Sequence, residues 1–99
     1  MELEDLQFLV EDFRKLLKMT FQNCDLKIDV DFPTSPNPLC FFELDCSLFI
    51  QGSFWANNEF KLEAIDLDDP SKHEMIEGTY NDRENAKSIL RSFLCKLQV

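Results

Sequence analysis

The sequence predicts a two-layer α+β domain: a helix, three or four antiparallel strands and a closing helix, with both helices packed on one face of the sheet. Three observations predict it. Apolar residues recur every three to four positions at both ends of the chain, alternate with polar ones in between, and are punctuated by Pro, Asn and Asp clusters. A sheet with one apolar face and two amphipathic helices cover each other most simply as two layers. A chain of 99 residues has room for one such core, so residues 1–99 are expected to form a single domain.

The first helix rests on Leu3, Leu6, Val10, Phe13 and Leu17, widened by Leu9 and Leu16. Glu2, Glu4 and Asp5 at its start and Arg14, Lys15 and Lys18 near its end match the helix dipole, and Asn23 is the expected stop. From Cys24 the period becomes two. Leu26, Ile28, Val30 and Phe32 are expected inward, with Asp25, Lys27, Asp29 and Asp31 between them. The run Pro33–Pro38 holds three prolines and must leave the ladder. Cys40, Phe42, Leu44, Cys46, Leu48 and Ile50 then form a second inward series, with Phe41, Glu43, Asp45, Ser47, Phe49 and Gln51 opposite. Gly52 marks a bulge or turn, and Asn57-Asn58 a second candidate; the asparagines are favoured, with one long strand reaching Ala56. A further strand covers about Phe60 to Leu67, Asp68–Ser71 turns, and Glu74–Tyr80 supplies a short edge strand. Ala86, Ile89, Leu90, Phe93, Leu94 and Leu97 define the final helix, with Asn81 as its cap and Glu84 three residues on.

Charge is distributed unevenly along this framework. The net charge is −9, and residues 25–77 alone hold twelve acids against Lys27, Lys61 and Lys72. Helix dipoles account for the charges at the two ends but not for those on strands. Asp25, Asp29 and Asp31 share one face of the first strand, Glu43 and Asp45 the matching face of the second, and Glu63 that of the third. Asp is a poor strand former, and like charges set opposite one another are destabilising. Phe41 and Phe49 fall on the same face, with Ile65 alongside, and Trp55 near a turn is an anchor type of residue with partial core packing as the alternative. Acids around exposed aromatics suggest an interface with an apolar centre and a charged rim.

The expected site is therefore a partner-binding face of Asp29, Asp31, Phe41, Glu43, Asp45, Phe49, Trp55 and Glu63, and the expected partner is a protein with a basic surface. A nucleic acid or an anionic membrane is disfavoured by the same charge. The expected function is non-enzymatic: a module that docks its carboxylates on a basic surface and blocks it, as an inhibitor, immunity or anti-defence protein does. The alternative is a homodimeric structural or chaperone-like protein, and a third reading is a small metal-dependent enzyme. No cofactor is expected. The acidic Met1–Asp5 start lacks a basic signal region, and no run reaches the ~18 apolar residues of a membrane span, so a cytoplasmic location is expected.

Other motifs point to structure. Read as a calcium loop, Asp66–Glu77 supplies Asp66, Asp68, Glu74 and Glu77 but places Ser71 where glycine is needed and Pro70 in a ligand slot. His73 is the single histidine and is expected in a polar loop. Cys24, Cys40, Cys46 and Cys95 form no Cys-x-x-Cys pair and are expected as reduced, buried thiols. The element order, with Gly78-Thr79-Tyr80-Asn81-Asp82-Arg83-Glu84-Asn85-Ala86-Lys87, resembles the end of a double-stranded RNA-binding domain. Asn81, Asp82 and Glu84 stand where such domains are basic, so the resemblance implies topology and not RNA binding. Acidic α+β secretion chaperones offer a second analogy, of size, charge and dimeric habit.

Overall fold

A computed structural model describes residues 1–97. Helix α1 (Leu3–Thr20) is followed by β1 (Asp25–Asp31), β2 (Leu39–Asp45), β3 (Leu48–Trp55), β4 (Glu59–Asp66), β5 (His73–Thr79) and helix α2 (Arg83–Leu97). The strands form one antiparallel sheet in the order β1-β2-β3-β4-β5. The α+β class and element order are those the sequence predicts, but the sheet has five strands rather than three or four.

The extra strand arises where one long strand was expected. The chain reverses at Cys46-Ser47, pairing Asp45 with Phe49 and Leu44 with Ile50. It reverses again at the asparagines, where Asn58 adopts φ 70°, a geometry Asn tolerates. Gly52 makes neither bulge nor turn. It lies inside β3 between Phe42 and Leu62, and a Cβ there would lie 2.1 Å from Phe42 Cε1. The glycine makes room for an aromatic ring.

The four pairings share one property. Every register joins even residues to even and odd to odd. The inward series therefore continues with unchanged parity through four reversals, from Leu26 on β1 to Ile76 on β5. These even positions face the helices. Cys40, Phe42, Leu44, Ile50, Phe54, Leu62 and Ala64 join Leu6, Leu9, Phe13 and Leu17 of α1 and Ala86, Leu90, Phe93 and Leu94 of α2 in one buried cluster. Phe13 meets Phe54 edge-on at 4.9 Å and Phe42 at 6.1 Å, and Phe54 stacks on Phe60 at 5.5 Å. Such aromatic pairs add roughly 0.5–1.5 kcal/mol each beyond their buried area.

Several local expectations are corrected. Phe32 is not inward: β1 ends at Asp31, and Phe32 takes φ 53° and is 70% exposed as the proline loop begins. That loop is tied to the β3–β4 turn, where Ala56 N–H donates to Pro38 O and Asn57 N–H to Asn37 Oδ1. Helix α1 stops at Thr20, short of Asn23, with the Thr20 hydroxyl donating to Leu16 O. The cap of α2 is Asp82 rather than Asn81, because Asp82 Oδ1 accepts from Asn85 N–H at 2.8 Å. His73 opens β5 instead of sitting in a loop. Only Cys40 is buried; Cys24 and Cys46 are partly exposed and Cys95 is exposed. Among the described residues no helix is long and apolar enough to cross a membrane.

Candidate functional site

Parity also defines the opposite face. The odd residues of all five strands point away from the helices, and registers align them in four rows. Across the sheet the rows run Asp25-Asp45-Phe49-Ile65-His73, Lys27-Glu43-Gln51-Glu63-Met75 and Asp29-Phe41-Ser53-Lys61-Glu77, and the fourth consists of Asp31-Leu39-Trp55 on β1–β3 and Glu59-Thr79 on β4–β5. All eight residues predicted for the site, Asp29, Asp31, Phe41, Glu43, Asp45, Phe49, Trp55 and Glu63, lie on this plane. None is covered by either helix, since the helices pack on the even side.

The rows bring together what separate strands could not. Leu39, Trp55 and Phe41 cluster at one end of the face, and Phe49 and Ile65 pair at the other. Glu43, Gln51 and Glu63 form a polar band between them, in which Gln51 Nε2 donates to Glu43 Oε1 at 3.1 Å. Phe41, Phe49 and Trp55 are half-buried, each flanked by neighbouring strands, and Leu39 is buried. Asp25, Asp29 and Asp31 line the β1 side, while Glu59 and Glu77 stand toward β5. Two shallow depressions open along the β1–β2 side. One, of about 300 Å³, lies among Lys27, Asp29, Asp31, Phe41 and Glu43. The other, of about 320 Å³, lies among Asp25, Lys27, Glu43, Asp45 and Phe49.

The electrostatics are one-sided. Asp25, Asp29, Asp31, Glu43, Asp45, Glu59, Glu63 and Glu77 share the plane with two lysines, Lys27 and Lys61. Among the described residues, Glu63 is the single one of these acids with an ionisable partner inside 4 Å, its Oε2 standing 2.9 Å from His73 Nε2. The other ion pairs belong to the helices: Arg83 and Lys87 with Asp12, Lys87 with Glu84, and Arg14 with Glu11. Asp25 and Asp45 sit directly opposite each other, an arrangement that costs stability in a sheet. A face with such spacing is suited to receive guanidinium or ammonium groups, the aromatics supplying apolar area and cation–π contact.

Sequence reasoning missed the β5 contribution, Met75, Glu77 and His73, as well as Leu39 and the Ser53–Lys61 pair. Odd-numbered parity carried through the turns would have found them. The acidic turn after β4 has a local role: Asp66 Oδ1 accepts from the backbone N–H of Asp68 and Asp69, which closes the turn. Among the described residues no group of three or more His, Cys, Asp or Glu is placed to hold a metal ion. No protein family, curated protein or solved structure matches this chain.

Proposed function

We propose that the protein is a non-enzymatic binding module that lays its acidic sheet face on a basic protein surface and blocks it, in the manner of an inhibitor, immunity or anti-defence protein. The observation that carries this reading is the unpaired state of the carboxylates. Among the described residues, seven of the eight acids on the outer plane have no cation within 4 Å, while the helical layer pairs several of its acids. Carboxylates held side by side repel one another, and a cationic partner turns that repulsion into attraction on docking. Phe41, Phe49 and Trp55 provide the apolar anchors that give such an interface its short-range affinity. Charges of this kind mainly speed encounter and choose the partner, so binding weakens steeply with salt.

The test is a paired capture experiment from the native host at low and high salt. The bait is the wild-type chain or the quadruple variant Asp29→Lys, Asp31→Lys, Glu43→Lys, Asp45→Lys. A basic protein held by the wild type at low salt, released at high salt and lost from the variant is the expected result. Circular dichroism must show both baits folded, since all four positions are at the surface or half-buried. Equal capture by both baits refutes the proposal.

A second reading, the homodimer, is favoured by one feature. Among the described residues strand β5 pairs with another strand on one side only, so its outer edge could accept a further strand. Sedimentation at micromolar concentration separates the readings, because a strict monomer removes the homodimer.

A further inference from the structure

We infer that Cys24 and Cys46 are a dithiol pair that closes to a cross-strand disulfide when the protein meets a disulfide oxidant such as glutathione disulfide, clipping the end of edge strand β1 to the β2–β3 hairpin. Three observations lead there. The β1–β2 register ends with Asp25 opposite Asp45, and Cys24 and Cys46 are the next residues beyond that pair, so the same register continued by one step would bring them opposite each other. Both cysteines carry the even parity of the inward series, and both pack on the margin of the same core. Residues directly opposite in an antiparallel pair have Cα atoms about 4.5–5.5 Å apart, which falls within the range a disulfide spans.

The remaining cysteines set the contrast. Cys40 is fully buried on β2, out of reach of a bulky oxidant, and Cys95 stands exposed on α2. Cys24 and Cys46 are half-open to solvent. The Cys46 thiol is already oriented by donating to Leu48 O at 3.3 Å. Its neighbour's environment is dominated by it: interaction with the Cys46 side chain first, then burial and the carboxylates of Asp25 and Asp45, push the Cys24 thiol up to about 11. The Cys24 thiolate is therefore scarce at neutral pH, so its attack is slow there and accelerates as pH rises.

The chemistry balances without a metal. One protein thiolate attacks a sulfur of glutathione disulfide, forming a mixed disulfide and releasing one glutathione thiolate. The second protein thiolate attacks the protein sulfur of the mixed disulfide, forming the Cys24–Cys46 bond and releasing the second glutathione. The protein loses two electrons and two protons, and glutathione disulfide gains both. Strand β1 is an edge strand whose terminal pair, Asp25 and Asp45, repels; the bond would hold that end of the acidic plane closed whatever its charge.

Peptide mapping tests this. The full chain is incubated with glutathione disulfide, free thiols are alkylated, and the protein is cut at aspartate without reduction, a digestion that separates Cys40 from Cys46 at Asp45. The expected product is a linked Cys24–Cys46 peptide, retained in Cys95→Ser and absent from Cys24→Ser and from Cys46→Ser. The oxidised wild type should also melt roughly 15 °C above the reduced form, as a bond closing a loop of this size implies. Glutathione adducts alone, a link through Cys40 or Cys95, or an unshifted melting temperature would each overturn the inference. Mapping of the wild type stands even where a serine variant fails to fold.

Discussion

Replacing Gly52 with alanine adds one methyl group and should destabilise the protein measurably. That methyl would lie 2.1 Å from Phe42 Cε1, 2.5 Å from Phe42 Cζ and 2.8 Å from Leu62 Cδ2. Carbon atoms pack comfortably at about 3.5–4.0 Å, so the Phe42 ring has to retreat by more than about 1 Å. It has nowhere to go: Phe42 is fully buried and stands edge-on to Phe13. Overpacking a closed core costs about 1–3 kcal/mol, against a gain of about 0.4–1 kcal/mol from a stiffer unfolded chain. The net loss is about 1–2 kcal/mol, which for a domain of this size lowers the melting temperature by roughly 5–15 °C. Urea and thermal unfolding followed by circular dichroism measure it. Phe42→Leu in the same background should return part of the loss, since the two changes act on one space and cannot be additive. An alanine variant as stable as the wild type would refute this account of why a glycine stands in the middle of β3.

Other outcomes follow from the charge and titration of the fold. Asp45→Asn removes a like-charge contact with Asp25 and should raise stability by a few tenths of a kcal/mol to about 1 kcal/mol, a gain that added salt shrinks because salt screens the same repulsion in the wild type. Stability should also fall in alkali. Burial, above all, raises Tyr80 to about 12, and the neighbouring Cys46 raises Cys24 to about 11. Both groups are neutral when protonated, so a raised value in the fold means their contribution is complete below about pH 9 and drains away as pH climbs through those values. Urea midpoints across that window should decline less in Tyr80→Phe and Cys24→Ser, each compared with its own neutral-pH midpoint. Tyr80→Phe should in addition cost about 1 kcal/mol at neutral pH, through loss of the hydroxyl's hydrogen bond to Trp55 O.

Much of this molecule was legible in its residues. Both helices, the alternating strands and the turn at Asn57-Asn58 follow from period and turn chemistry, which act over a few neighbouring residues. So does the separation of acids from apolar groups on each strand. What was misread had a weak or a misleading local signal. Cys46-Ser47 carries no glycine, proline or asparagine. Because its register keeps even opposite even, Leu44, Cys46 and Leu48 continue the inward alternation across the reversal as if the strand were unbroken. Gly52 imitates a turn residue although its reason is a ring arriving from the next strand. Phe32 fits the inward series, yet the following proline loop swings it into solvent.

The sequence by itself determined which side chains could share a face, because alternation along a strand is a property of the chain. Only the tertiary structure decided that those separate faces become one plane. Four hairpin registers had to preserve parity, and both helices had to choose the even side, before acids and aromatics distant in the chain could stand in rows. Hydrogen bonding between strands and burial of one face select that arrangement together, and no single segment contains the information to do so.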